Sequence, residues 1–154
     1  MSTINISIES AKESGIGNID FNDLPFGKNF SDHMFIADYY DGEWRDARIV
    51  PFADFTLHPA TSAIHYGQAI FEGMKAELAP DGQPIVFRPL KNWNRLNKSA
   101  QRMAIPPISQ ELFMAALDTL IDIDKDFIPT APLSSLYIRP FMFATEKYVG
   151  IRVA

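Results

Sequence analysis

The sequence predicts an α+β domain, a mostly antiparallel sheet with two helices packed on one face. Three observations carry this reading. Two Asp-Gly pairs, Asp41-Gly42 and Asp81-Gly82, each interrupt apolar runs in the way a tight hairpin turn does. Two segments of helical spacing follow one another between residues 92 and 121. Strands and helices are grouped rather than alternating, which favours helices on one face over a parallel doubly wound sheet.

In chain order, residues 1–30 are rich in Ser, Asn, Asp and Gly with scattered Ile, and are expected to form a flexible, loosely attached arm. The domain proper is expected over 31–154. From Met34, "MFIADYYDGEW" gives an aromatic strand, a turn and a return strand. A second hairpin is expected in "FEGMKAELAPDGQPIVF". In "NWNRLNKSAQRM", Trp93, Leu96, Ala100 and Met103 recur at helical spacing, and Pro106-Pro107 ends the run. The next helix starts after Ser109, an N-cap, with Ile108 placed to staple against Phe113. Its Phe113, Ala116, Leu117, Leu120 and Ile121 form the stripe of a helix lying on a sheet. Then "SSLYIRPFMFATE" alternates as a strand, with Pro140 marking an edge or a bulge because it cannot donate to a ladder. The sequence ends at "VGIRVA" directly after that strand, and reads as a domain cut before its last element.

The chain has 154 residues, enough for one domain, with 47% hydrophobic and 21% charged residues, an ordinary globular balance. A formal net charge of −5 argues against nucleic acid or an anionic membrane as partner. With no cysteine there is no disulfide framework, thiolate metal site or thiol nucleophile. No apolar run reaches membrane-spanning length and the start "MSTINISIESAKESG" lacks a secretion signal, so the cytoplasm is the expected compartment. His33, His58 and His65 do not form the i, i+4 pair of a helical metal site, and structural roles are expected for them. Glycine-rich phosphate loops are absent.

Strand alternation around "HYGQAIFEGMKA" places Phe71, Gly73 and Lys75 on one face and Ile70, Glu72, Met74 and Ala76 on the other. Gly73 reads either as a bulge in a half-buried strand or as a clearing for a flat ligand beside Phe71. Nothing around Lys75 demands the desolvated site that a Schiff-base lysine needs. Tyr137 and Arg139 are two apart on a strand, with side chains about 7 Å apart on one face. They read either as a carboxylate clamp, a planar donor fork beside a hydroxyl, or as an arginine snorkelling from a sheet edge. Arg95 and Arg102, with Ser99 between them, form either a solvated helix face or a reach toward a phosphate.

The stretches "FSDHMF", "LHPATSAIHYGQAIFEGMKA", "FRPLKNWNRLNKSAQRM" and "SLYIRPFMFATE" resemble, in order and spacing, the branched-chain amino acid aminotransferases. These are fold-type IV enzymes that use pyridoxal 5'-phosphate. The resemblance runs from about residue 30 to 151. It implies the class IV small domain, cut before the linker and the large domain that carries the catalytic lysine, so that no Schiff-base lysine is expected in this chain. It implies a cofactor-phosphate contact at Arg95. It places Tyr66, Phe71, Gly73, Tyr137 and Arg139 in the substrate pocket, with Phe71 as apolar wall and the other three side chains as polar contacts to substrate. Val149 and Ile151 match a loop that reaches the partner subunit's site in a homodimer. The implied reaction moves an amino group between leucine, isoleucine or valine and 2-oxoglutarate. A non-catalytic small-molecule binding module or a dimerisation module of the same fold is the alternative.

Overall fold

The computed structural model describes residues 4–150 and is an α+β fold. Strands β2 (His33–Tyr40) and β3 (Glu43–Pro51) form the first hairpin. Asp41 and Gly42 both take positive φ (53° and 83°), the mirror-image turn whose twist matches the flanking strands. β1 (Ser7–Ile8) adds to the far edge of β3 in parallel, with Ile8 opposite Ile49. The amino-terminal stretch is therefore tied down more firmly than its composition suggests. Besides β1, Ala11 N donates to His33 Nε2 (2.9 Å) and Gly15 N to Asp32 Oδ1 (2.8 Å).

A helix not foreseen from sequence, α1 (Ser62–Tyr66), comes next and ends on Gly67 with φ 67°, the left-handed closure that glycine adopts without strain. β4 (Ala69–Phe71) and β5 (Met74–Leu78) follow, and β5 turns through Gly82 into β6 (Pro84–Val86). The expected late strand is split into β7 (Leu136–Ile138) and β8 (Phe141–Phe143). β4 pairs with β8 and β5 with β7, both antiparallel and in one continuous register. The break in both falls at Pro140, which lacks the N–H to continue the ladder but still accepts from Glu72 N (2.8 Å). Among the described residues, every strand pairing apart from that of β1 is antiparallel.

α2 (Pro89–Arg102) begins three residues earlier than its apolar spacing predicts, because proline suits the first helical position. α3 (Gln110–Ile123) starts where expected, with the Ser109 hydroxyl accepting from Leu112 N at 3.1 Å. Leu96 and Ala100 of α2, Leu112, Phe113 and Leu117 of α3, and Ile70, Met74 and Ala76 of the strands share one buried core. Both tryptophans seal the α2–α3 connection. Trp93 donates its indole N–H to Ile108 O and Trp44, from the first hairpin, to Pro107 O, each at 2.9 Å. Asn97 also bonds both the N–H and the carbonyl of Ile108. Among the described residues no helix is long and apolar enough to cross a membrane.

Candidate functional site

Alternation through the broken strand holds as expected: Ile70, Glu72, Met74 and Ala76 are buried, while Phe71 and Lys75 are exposed. Because β5 and β7 are in register, Tyr137 stands opposite Lys75, and Arg139 comes from the break beside Pro140. The result is a small polar and aromatic cluster on one open face. The Arg139 guanidinium lies 4.7 Å from the Phe71 ring centroid and 5.3 Å from that of Tyr137, and its Nη2 donates to the Tyr137 hydroxyl at 3.3 Å. Among the described residues Arg139 has no carboxylate partner, so its charge is balanced only by ring faces and solvent.

Gly73 has a defined steric role. A methyl group there would stand 2.1 Å from the Tyr137 hydroxyl and 2.8 Å from Cζ, inside any van der Waals contact. The room that the glycine leaves beside Phe71 is filled by the Tyr137 ring. Phe26, from the amino-terminal stretch, packs edge-on against that same ring at 5.2 Å.

Arg95 leaves α2 toward the strand break and forms a two-pronged pair with Glu72, Nε to Oε2 at 2.7 Å and Nη2 to Oε1 at 2.5 Å. Only 6% of the Glu72 side chain is exposed, against 68% for Arg95. Glu72 also accepts from Gly73 N (2.9 Å), and Asn92 Nδ2 donates to Gly73 O (3.1 Å). Burial pushes the Glu72 carboxyl up, but the Arg95 fork and the Gly73 N–H outweigh it and leave the group below the usual glutamate value. Beside this pair lies an open cavity of about 340 Å³ lined by Phe87, Arg88, Lys91, Asn92 and Arg95. Sequence reasoning missed Glu72 and Asn92. The signal for Glu72 was a carboxylate on an otherwise apolar strand face, which needs a cation nearby.

The remaining expected site residues are dispersed. Tyr66 sits half-exposed at the end of α1, its ring next to that of His65. Val149 is exposed. Ile151 lies outside the described residues. Arg102 is exposed and, with Phe71, Lys98 and Ser99, borders a second open cavity. The histidines bond structurally: His33 Nδ1 meets Asp124 Oδ1 at 2.7 Å, His58 Nδ1 accepts from Ala60 N, and His65 Nε2 meets Pro59 O.

No protein-family model matches the chain. It is 46% identical over 136 residues to branched-chain-amino-acid transaminase 1 of Bacillus subtilis, covering 88% of this chain and 38% of that protein. It is 45% identical over 150 residues to branched-chain-amino-acid aminotransferase 2 of the same organism, covering 97% of this chain and 40% of that one. Among solved structures, a branched-chain amino acid aminotransferase from Escherichia coli superposes with a TM-score of 0.51 at 31% identity, over 73% of this chain and 34% of the other. Its α+β fold and its relatives together liken the chain to a part of the fold-type IV aminotransferases. Over most of its length the chain is similar to one part of the branched-chain aminotransferases. It spans about two fifths of the length of the curated relatives it matches.

Proposed function

We propose that this chain is the small domain of a pyridoxal-phosphate-dependent transaminase that exchanges an amino group between leucine, isoleucine or valine and 2-oxoglutarate. The whole protein would work as a cytoplasmic homodimer. The observation that carries this reading is the cluster of Phe71, Tyr137 and Arg139 on one face. A flat apolar ring beside an uncompensated guanidinium and a hydroxyl accepts two kinds of side chain in one place. A branched aliphatic group would rest on the ring, and the distal carboxylate of glutamate would take the donors of Arg139 and Tyr137.

The residues beside α2 fit the phosphate end of the cofactor. Two donors of Arg95 are held by Glu72, which leaves its Nη1 free, and Arg88 and Lys91 add positive charge around the same cavity. When bound, the cofactor supplies the electron sink for chemistry at the amino-acid α-carbon. This domain would orient substrate and exclude water, with Tyr66 as a further polar contact and Val149 and Ile151 in the loop that closes the partner's site. None of the lysines at 12, 28, 75, 91, 98, 125 and 147 matches the family's catalytic lysine, so the attachment point would come from another part of the whole protein.

The test is the full-length enzyme carrying Arg139→Ala. Loss of charge-assisted hydrogen bonds to the distal carboxylate should cost glutamate roughly 1.5–3 kcal/mol in kcat/KM. Leucine should be affected much less. Equal losses for both substrates count against the assignment.

A further inference from the structure

We propose that Glu72 is the positioning residue for Arg95, a buried carboxylate that fixes the guanidinium plane so that its free edge is offered to the basic cavity. The proposal rests on the reading of Arg95 as a phosphate contact. The geometry is specific. Both Glu72 oxygens are used, one by Arg95 Nε and the other by Arg95 Nη2 and Gly73 N. Arg95 is otherwise a long, mostly exposed side chain free to sample many rotamers. Clamped at two nitrogens, it keeps one orientation before any anion arrives, and the ordering cost of binding falls accordingly.

The clamp also joins two parts of the site. Glu72 sits in the strand break between Phe71 and Gly73, and Asn92, one turn before Arg95, holds the Gly73 carbonyl. One face of α2 is thus bolted to the segment that carries the apolar wall. Glutamine is nearly isosteric with Glu72 but presents an N–H₂ where a second acceptor is needed, against either the Arg95 fork or the Gly73 N–H. Aspartate keeps the charge but withdraws it by one methylene.

The experiment measures the pyridoxal 5'-phosphate dissociation constant of the full-length apoprotein by absorbance titration, without turnover. The proteins compared are wild type, Glu72→Gln, Arg95→Ala and the double variant. Glu72→Gln should weaken binding by about 10-fold or more, by analogy with the loss seen when the hydrogen-bond partner behind a metal ligand is removed. In the Arg95→Ala background the same change should add less than about 2-fold, because Glu72 acts through Arg95. Thermal midpoints of the apoproteins show that each titration is made on folded protein, and Glu72→Asp carries the same expectation should the glutamine variant not fold. Unchanged affinity in Arg95→Ala overturns the reading of Arg95 itself. A normal Glu72→Gln beside a weakened Arg95→Ala overturns only the positioning role. An equal loss from Glu72→Gln in both backgrounds assigns Glu72 a purely structural role and also overturns the proposal.

Discussion

Gly73 and Glu72, adjacent in sequence, act in opposite directions from the strand. Gly73 leaves room on the open face, and the Tyr137 ring takes it. Gly73→Ala should therefore push the Tyr137 hydroxyl away and part it from Arg139. The ring is only half-buried and can yield, so the stability loss should sit near the low end for overpacking, about 1 kcal/mol. Turnover of glutamate in the full-length protein should fall by much more than that loss in stability implies. Kinetics and a thermal melt on the same variant separate the two effects. Glu72 governs acid behaviour. Its carboxyl is held below its ordinary value in the folded chain, so its stabilising contribution is complete above about pH 4.3, the unfolded glutamate value, and drains away as the pH falls through the lower folded value. Melts between pH 3 and pH 6, in roughly that range, should show Glu72→Gln losing part of this acid dependence, and an identical slope in both proteins would contradict it. The face occupied by Glu72 was legible from alternation. Its partner was not, since Arg95 lies on a helix 23 residues later and nothing in a strand pattern says which helix face will dock there. The same pairing gives Arg95→Ala a second effect: beyond weakening cofactor retention, it strands a buried carboxylate and should lower the melting temperature.

At the level of elements, local signals worked where the cause of the structure is local. The Asp41-Gly42 turn, the Asp81-Gly82 loop and the Ser109 cap each act within a few residues, and each stands where the sequence put it. Ser109→Ala should cost about 1 kcal/mol through the lost bond to Leu112 N, while Ser109→Asp should keep most of it. Chemical denaturation of the two variants checks this by the shift in midpoint at unchanged slope. The elements that sequence missed are held from a distance. Helix α1 has five residues, too few to persist alone. Its first N–H groups instead reach across the fold, Ser62 N to Glu146 O and Ala63 N to Ala144 O. β1 is two residues long in a polar stretch, and it exists because the edge of β3 offers it a partner.

The whole molecule exposes aromatic surface that ordinary composition does not reveal. Phe26, Phe30, Phe52, Phe55, Phe71 and Phe141 are all exposed, and several meet as ring pairs on the surface, among them Phe30 stacked on Phe52 at 4.7 Å. Exposed rings that cluster, as Phe55 does with Phe141 and Phe143, are the kind of contiguous apolar surface that marks an interaction site. On the reading proposed above, the rest of the enzyme and its substrate cover it. The 154-residue chain by itself should therefore self-associate as its concentration rises, and sedimentation would show a concentration-dependent mass. A strictly monomeric chain at every concentration would argue against that reading of the surface. The same chain, mixed with pyridoxal 5'-phosphate and freed of excess, should keep no stoichiometric visible absorbance band and should not turn over leucine with 2-oxoglutarate. A Schiff-base lysine needs a desolvated or cation-flanked site to activate its amine, and Lys75 is exposed. A stoichiometric band lost on Lys75→Ala, together with turnover, would relocate the chemistry to this domain.

The two indole hydrogen bonds at the α2–α3 connection have an optical consequence. Trp44 and Trp93 are the chain's only tryptophans, and they donate to adjacent carbonyls, Pro107 and Ile108. Intrinsic fluorescence excited at the indole therefore comes almost wholly from one spot, where the first hairpin and the first long helix clasp the same two residues. A shift of the emission to longer wavelength reports that clasp opening, whichever other part of the chain is still folded. Set against far-ultraviolet circular dichroism, which follows the helices, it shows whether hairpin and helix pair come apart together or in sequence.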